Sequence, residues 1–517
     1  MLFLWGLAIG AVPLLKGPPG GDDAYYHAMY AVEQARCLSA GVVFPRWYPD
    51  LNGGLGGPEP RPRPLLPLLL GGLLAWLLAD GVAAIAVTTA AVPVVAALAG
   101  YSALRWRGAG QGWAGAAAAL WALCPYLVAS LHQRVALQEG LALALLPWVW
   151  ALLLPPGPRG RHQVLGGALV TACLLATQLL VAAMAATAVA AAHLASPQRR
   201  LAAVAQAALL GAALSAVSWL PNLFSLGRLR AKSFVEGWFD WRTRFLFSSE
   251  TAASTLGTTF EWAFLGMAAA AVVLLTLRGA RLLAGLSLGC ALLATSPSRV
   301  LWELVPGSDL LQFPWRWLGV ASALAVWAAA TAGPRWRSLV ALALVSAPVV
   351  TTHPLADRLP PGPPLRPSWQ AAELGRAATR FGVLPILPSF PAALPRGADP
   401  FEALREASRI EPGTLSQRQG GPSRWSWIVT NRQGAVVRLP LLAADGWEVR
   451  VGGREVGWVA EASLVSVPVP AGRTFVEARQ VLLAEDILGI ALSALAWLGL
   501  AAALLTWRER GWRGGVR

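Results

Sequence analysis

A chain of 517 residues that is 56% hydrophobic and 13% charged, with a mean hydropathy of +0.53, carries more apolar surface than a water-soluble globule can bury, so lipid must be part of its solvent. The net charge of +15, from 42 Lys+Arg against 27 Asp+Glu, is spread as short arginine clusters between apolar stretches; this is a topology signal and argues against a nucleic-acid binder, whose basic residues would gather on one surface. The 4 cysteines exclude a disulfide framework or a cysteine-based metal site, since Cys124, Cys173 and Cys290 lie inside apolar stretches and Cys37 stands alone in a loop.

Leu2 to Leu15 is apolar but lacks a basic leader and an Ala-x-Ala cleavage signature, so it reads as a retained first helix. A long polar loop follows, from Lys16 to Pro64. Residues 65–80 are apolar yet too short for a simple span, and the parity of the basic loops leaves no place for one; they are expected to form a re-entrant or juxtamembrane helix. Further spans are expected at 82–104, 112–131, 137–154, 201–220, 256–277, 280–296, 314–332, 335–351 and 486–507, with a tight two-helix hairpin over 164–195. The basic pairs Arg105/Arg107, Arg159/Arg161, Arg199/Arg200, Arg278/Arg281 and Arg335/Arg337, and the tail with Arg508, Arg510, Arg513 and Arg517, then all face the cytoplasm. Tryptophans at the ends of apolar runs, such as Trp113, Trp148, Trp219, Trp317 and Trp336, suit interfacial anchoring.

The second long outer segment runs from Thr352 to Glu485. It opens on a proline-rich linker (Pro360, Pro361, Pro363, Pro364, Pro367) and later alternates apolar and polar residues over 435–442, 447–451, 463–469 and 474–481, with turn signals at Asp445-Gly446, Gly452-Gly453 and Ala471-Gly472. This predicts a small antiparallel β domain. The expected architecture is an α-helical polytopic membrane protein of about twelve spans with both termini cytoplasmic. Residues 1–351 form its transmembrane domain with the first extracytoplasmic loop at 16–64, residues 352–485 an extracytoplasmic linker and β domain, and residues 486–517 the last span and a basic tail.

Ionisable residues are nearly absent from the middle of the spans, where ion-driven transporters usually carry them. They gather instead at the outer ends: Glu139, Glu261, Arg316 and Asp486, near His132 and Arg134. In the first loop a helix over 23–38 puts Asp23 and His27 on one face at i and i+4. A carboxylate beside an imidazole suits a general base; equally, Asp22 and Asp23 suit capping of the helix N-terminus. Arg46-Trp47-Tyr48 beside the glycine-rich Asn52 to Pro58 suits a phosphate, because arginine forks onto phosphate oxygens and glycine admits backbone N–H groups. The same cluster suits an interfacial anchor with snorkelling side chains. Asp22 and Asp23 lack a third ligand, so neither a metal nor another cofactor is expected.

Asp23-x-x-x-His27, Gly41-x-x-x-Pro45-Arg46-Trp47 and Asn52-Gly-Gly-x-Gly-x-Pro58 resemble the opening loop of the bacterial membrane family named for a 6-pyruvoyl-tetrahydropterin-synthase-related domain, itself related to the GT-C glycosyltransferases. Further matches follow in order: Pro125-Tyr126, Arg134, Glu139, Pro147, Trp219-x-Pro221, Gln312-Phe313-Pro314-Trp315-Arg316, Leu439-Pro440, Gly446-Trp447-x-Val449 and Gly452-Gly453. The chain departs from that family at Glu59-Pro60-Arg61-Pro62-Arg63-Pro64, at Thr177-Gln178 and at Gly382-Val383-Leu384-Pro385.

The resemblance implies a GT-C-like fold and a sugar transferred from a polyprenyl-phosphate donor to an envelope glycan, lipid or protein on the outer face of the bacterial inner membrane. By it Asp23 is the base candidate and His27 its partner or phosphate contact. Arg46, Arg134 and Arg316 are candidates for holding the carrier phosphate, with Glu139 in the same site or pairing with Arg134. The alternative is a non-catalytic transporter of lipid-linked glycan, or an envelope-assembly scaffold that keeps the architecture.

Overall fold

The computed structural model describes residues 12–15, 17–18, 23–155, 160, 162–198, 200–226, 239–252, 254–348, 413–461 and 463–513. Most of the expected first span, Asp22, Arg159, Arg161, Arg199, the proline-rich linker, Gly382 to Pro385 and the tail beyond 513 lie outside the described residues.

In chain order the described helices are α1 (Ala24–Ser39), α2 (Leu65–Leu78), α3 (Gly81–Trp106), α4 (Gln111–Ala122), α5 (Pro125–His132), α6 (Leu137–Leu153), α7 (Gly167–Thr177), α8 (Leu179–Leu194), α9 (Leu201–Leu214), α10 (Ala216–Leu226), α11 (Thr255–Leu275), α12 (Arg281–Leu292), α13 (Trp317–Thr331) and α14 (Trp336–Ser346), with shorter turns between them. Eight strands and α15 (Ala484–Arg513) follow. Among the described residues three helices are long and apolar enough to cross a membrane: α3, α11 and α15. Two bent pairs, α4 with α5 at 43° and α9 with α10 at 80°, raise this to 5 if each is one crossing. These correspond to the spans expected at 82–104, 256–277, 486–507, 112–131 and 201–220. The other apolar helices have at most 17 residues; at about 1.5 Å per residue they fall short of a hydrocarbon core of roughly 30 Å. Among the described residues length and composition alone therefore support three to five of the expected twelve crossings. The 14-residue α2, expected as a short helix, packs along α1; a Cβ at Gly72 would lie 2.2 Å from Cγ of Gln34, so only glycine allows this approach.

At the centre of the bundle is α13, apolar on every side and buried from Trp317 to Ala330. Such a helix has no face for lipid or water and is surrounded by protein; it packs on α12, α11, α14 and α6. The break between α9 and α10 is closed by the last span. Ser493 Oγ accepts from Val217 N–H at 2.9 Å and lies 3.3 Å from the Ala213 carbonyl, to which it donates; Trp497 Nε1 donates to the Leu214 carbonyl at 3.1 Å. Backbone groups freed by a bend in an apolar environment need partners of this kind.

The β domain has a five-stranded antiparallel sheet, order β1 (Gly413–Gly420), β2 (Arg424–Asn431), β8 (Gly472–Gln480), β4 (Trp447–Val451), β5 (Arg454–Val456), and a three-stranded one, order β3 (Ala435–Leu442), β7 (Leu464–Val469), β6 (Val459–Glu461). The two sheets share one core in which Trp427, Val429 and Val476 meet Val437, Leu439 and Val467. The β4–β5 turn is the two-residue Gly452-Gly453, with φ of 57° and 83°, the mirror-image turn that matches strand twist.

The first loop is part of this core. Trp47 and Leu55 are buried in it, Trp47 meets Trp447 edge-on with centroids 4.9 Å apart, and Leu442 N–H donates to the Leu55 carbonyl at 3.1 Å. Gly56, at φ 75°, lies flat against the indole; a Cβ there would fall 2.0 Å from Trp47 Nε1. Replacing Trp47 by Ala is expected to cost about 3–5 kcal/mol. The loss should appear as a lower melting temperature and as faster proteolysis within residues 413–480; unchanged protection of the β domain would show that the indole is not its anchor.

Candidate functional site

The start of α1 is joined to the loop before α6. Asp23 sits at the N-cap position of α1, and its backbone N–H donates to the Arg134 carbonyl at 3.0 Å. Its side chain makes no cap hydrogen bond. The carboxylate is thus not used in the capping role that its position suggests.

Arg134, Glu139 and Arg316 meet at one point, although Glu139 and Arg316 are 177 residues apart in sequence. Arg134 Nη1 lies 3.3 and 3.2 Å from Oε1 and Oε2 of Glu139, Arg316 Nε lies 3.2 Å from Oε2, and Tyr126 donates its hydroxyl to Oε1. All three charged residues are buried, with relative exposures of 5%, 3% and 8%. Glu139 is in the first turn of α6, where the helix dipole favours an acid, whereas Arg316 precedes α13, where it does not. The shared carboxylate offsets that penalty, and breaking such a buried set leaves uncompensated charge.

The chain bends sharply to build the cluster. Gln312 has φ 61° and ψ −49°, with Phe313 N–H donating to the Leu311 carbonyl at 2.6 Å, so that Arg316 Nη1 reaches both the Leu311 carbonyl (2.7 Å) and Gln312 Oε1 (3.2 Å). Val135, at φ 55°, is a second non-glycine residue in the left-handed region beside the same charges. Each such conformation costs roughly 1–3 kcal/mol and persists where its surroundings enforce it. Phe313 stacks on Trp315 at 4.9 Å and lies under both guanidinium groups, 4.9 Å from Arg316 and 5.7 Å from Arg134.

The structure therefore brings Asp23 to Arg134, Glu139 and Arg316, with His27 one turn along α1. Arg46 is held elsewhere. Its Nε is 3.0 Å from Oδ1 of the fully buried Asp486, and Arg61 Nη1 approaches Oδ2 of the same carboxylate at 3.5 Å. Arg61 Nη2 also donates to Gln480 Oε1 at 3.4 Å. As the structure stands, Arg46 is a structural cation clamping the last span to the first loop. Glu261 accepts from Phe247 N–H at 2.8 Å, a loop-closing role.

Sequence reasoning passed over Arg63, which lies in the segment noted only as a departure from the family. Its guanidinium covers the ring of Tyr30 at 4.5 Å, and it interacts electrostatically with Asp23, Glu59 and Tyr26. Burial acts to lower its pKa, but these neighbours outweigh burial and leave it raised. Burial takes the His27 imidazole down to about 4, Asp23 opposing and Arg63 reinforcing, so the ring is neutral at physiological pH. A small cavity of about 20 Å³ lies beside His27, lined also by Tyr30, Leu68, Ile85, Thr88 and Gln138. Among the described residues no three His, Cys, Asp or Glu side chains gather to hold a metal ion.

No protein-family model and no curated protein matches the chain. Among solved structures it is similar to the mycobacterial arabinofuranosyltransferase AftD, determined by single-particle cryo-electron microscopy, at 19% identity and a TM-score of 0.37 over 68% of this chain and 27% of that one. The chain thus spans about a quarter of the length of that protein.

On the far side of Tyr30, Glu33 is buried and accepts from Asp50 N–H at 3.2 Å, while Arg36 pairs with Asp50. Burial pushes the Glu33 carboxyl up to about 8, Arg36 opposing and Glu59 reinforcing. A carboxyl raised from 4.5 to about 8 stabilises the fold fully below 4.5, and that contribution is lost as pH rises to about 8. Glu33→Gln is therefore expected to melt progressively higher than wild type between about pH 5 and about pH 8. A gap in melting temperature that stays constant over this range would mean that Glu33 titrates as it does in water.

Proposed function

We propose that the chain is a GT-C-type inverting glycosyltransferase. It takes a sugar from a polyprenyl-phosphate donor and attaches it to a hydroxyl of an envelope glycan, lipid or protein. The observation that carries this reading is the carboxylate of Asp23: it stands at a helix N-cap without capping, tied through its backbone to Arg134 and within electrostatic range of Arg63 and Arg316. The ordered motifs along most of the chain support it further.

In this mechanism the acceptor oxygen attacks the anomeric carbon as the bond to the carrier phosphate breaks, inverting the centre. The hydroxyl proton passes to Asp23, and the charge that grows on the departing phosphate faces guanidinium groups already fixed in a poorly hydrated site. The neutral imidazole of His27 is suited to donate a hydrogen bond there. Arg134 and Arg316, both committed to Glu139, act by field and by shape.

The reading carries a topology of about twelve spans in the bacterial inner membrane, both termini cytoplasmic, with the first loop and the β domain outside. Reporter fusions after Arg107 and Arg200 are expected to signal cytoplasm, and fusions after Asp50 and Gly421 outside; an inside signal at Asp50 would remove the site from the outer face.

The activity is tested with purified protein reconstituted with a panel of polyprenyl-phosphate sugars. Asp23→Asn is expected to reduce transfer by about two to four orders of magnitude, as expected for loss of a general base, while folding and carrier binding persist. Absence of transfer by well-folded wild type across the panel would favour the scaffold or transporter reading, for which the anchoring of the β domain on the first loop is the relevant feature.

A further inference from the structure

The C-terminus of α11 meets two other helix ends: the start of α12, which follows it after a short turn, and the start of α14, which packs along it. The packing is antiparallel, with Gly266 against Leu344 at one level and Thr276 against Arg337 at another. Four arginines lie on these ends: Arg278, Arg281, Arg335 and Arg337. Arg281 Nε donates to the Leu275 carbonyl at 3.1 Å, and Arg337 Nη1 donates to Thr276 Oγ1 at 3.2 Å with its guanidinium 5.3 Å from the centroid of the Trp336 ring. Arg278, Arg281 and Arg335 are exposed and Arg337 is half-buried.

Nothing acidic answers this charge. The sequence has no Asp or Glu between Glu261 and Glu303, nor between Asp309 and Asp357, and among the described residues none of the four arginines forms an ion pair. Arg281 is the first residue of α12 and Arg335 the N-cap of α14, positions at which the positive end of the helix dipole disfavours a cation. The C-terminus of α11 offsets part of this through the Leu275 carbonyl. The remainder calls for an anion from outside the chain, and a guanidinium fork matches the oxygens of a phosphate.

The surface running away from the arginines is apolar on two tracks. Trp262, Leu265 and Val272 are exposed on one face of α11, and Thr276, the residue that Arg337 reaches, continues that face; Trp336, Leu339 and Val340 are exposed on α14. A Cβ at Gly266 would run into the Leu344 carbonyl, so the two helices are in close contact and their exposed faces border one seam. Since α11 is long and apolar enough to cross a membrane, acyl chains are the natural cover for both faces. Trp336 stands beside the charge, where an indole suits the headgroup level. An anionic head above two apolar tracks has the shape of a phospholipid with two chains.

We propose that the arginines at the α11–α12 turn and at the start of α14 hold the headgroup of an anionic phospholipid whose acyl chains lie along the exposed faces of α11 and α14. The site is independent of the glycosyltransferase reading; on the topology expected from the sequence it lies in the cytoplasmic leaflet, opposite the first loop. Because α11, α12 and α14 all pack on α13, the lipid would tie together the ends of three helices that enclose the most buried one.

The test measures lipid binding by native mass spectrometry of the full chain in detergent. The probe is phosphatidylglycerol, with phosphatidylcholine of the same chains and glycerol 3-phosphate as the other arms. Arg278→Gln, Arg281→Gln and Arg337→Gln are each expected to weaken phosphatidylglycerol binding about fivefold, and the three together roughly a hundredfold, with phosphatidylcholine binding unchanged. A charge-matched control, Arg454→Gln with Arg473→Gln and Arg479→Gln in the β domain, is expected to bind phosphatidylglycerol as wild type does. Melting curves in phosphatidylcholine report folding, and the single variants carry the test if the triple variant melts lower. Equal affinity of wild type for the two phospholipids overturns the proposal, as does undiminished phosphatidylglycerol binding by well-folded single and triple variants. An equal loss in the β-domain control overturns it in favour of bulk attraction to net charge. Displacement of phosphatidylglycerol by glycerol 3-phosphate at comparable concentration overturns it in favour of a soluble-anion site without chain contacts.

Discussion

The carboxylate of Glu139 is shared by two guanidinium groups in a place where neither could remain charged alone. Taking an arginine out of water costs several kcal/mol unless an opposite charge and hydrogen bonds replace the solvent. Here one acid serves two bases, and Tyr126 and the Leu311 carbonyl complete the set. Because Arg316 begins the most enclosed helix and Arg134 holds the start of α1 through its carbonyl, this one side chain fixes the first loop against the helical bundle. The position of Asp23 follows from it.

A second buried carboxylate, Asp486, does for the β domain what Glu139 does for the bundle. It holds Arg46 and Arg61 of the first loop at the head of the last span, and Trp47 between them enters the core of the β sandwich. The β domain is therefore not an appendage on a linker. Its core is incomplete without two residues of the loop that carries the candidate base, so displacement of the sandwich would disturb the segment from Arg46 to Arg63. The bent helix pair α9–α10 depends on the same last span through Ser493, and the two arrangements share one supporting element.

Patterns local in sequence were legible. The alternation over 435–442 and 447–451 and the Gly452-Gly453 turn appear as strands and a two-residue hairpin, and the apolar runs 82–104 and 486–507 as α3 and α15. Four strands were not anticipated: Gly413–Gly420 has Leu415 as its one apolar residue, Trp425 to Trp427 are buried on consecutive positions, and Arg454–Val456 and Val459–Glu461 are too short to show the two-residue period. The bend at Ser215, whose hydroxyl donates back to the Gly211 carbonyl at 2.9 Å, is bridged by Ser493 of the last span, a partner that no local pattern reveals. In the site, the residue types were readable and the partnerships were not. Nothing near Arg46 announces Asp486, and nothing near Arg316 announces Glu139. Arg63 was hidden differently, in a proline-rich stretch whose meaning depends on the aromatic face beneath it.

Arg61 and Gln480 are 419 positions apart, and Arg46 and Asp486 are separated more widely still. During synthesis these arginines emerge long before the carboxylate that neutralises them, and Trp47 before the sheets that enclose it. The cations and the indole of the first loop must therefore be solvated by other polar surroundings until α15 has been made. The site is thus completed only after α15 has been made, and a chain without α15 would expose unpaired charge and an aromatic anchor of the kind that quality-control proteases and chaperones engage.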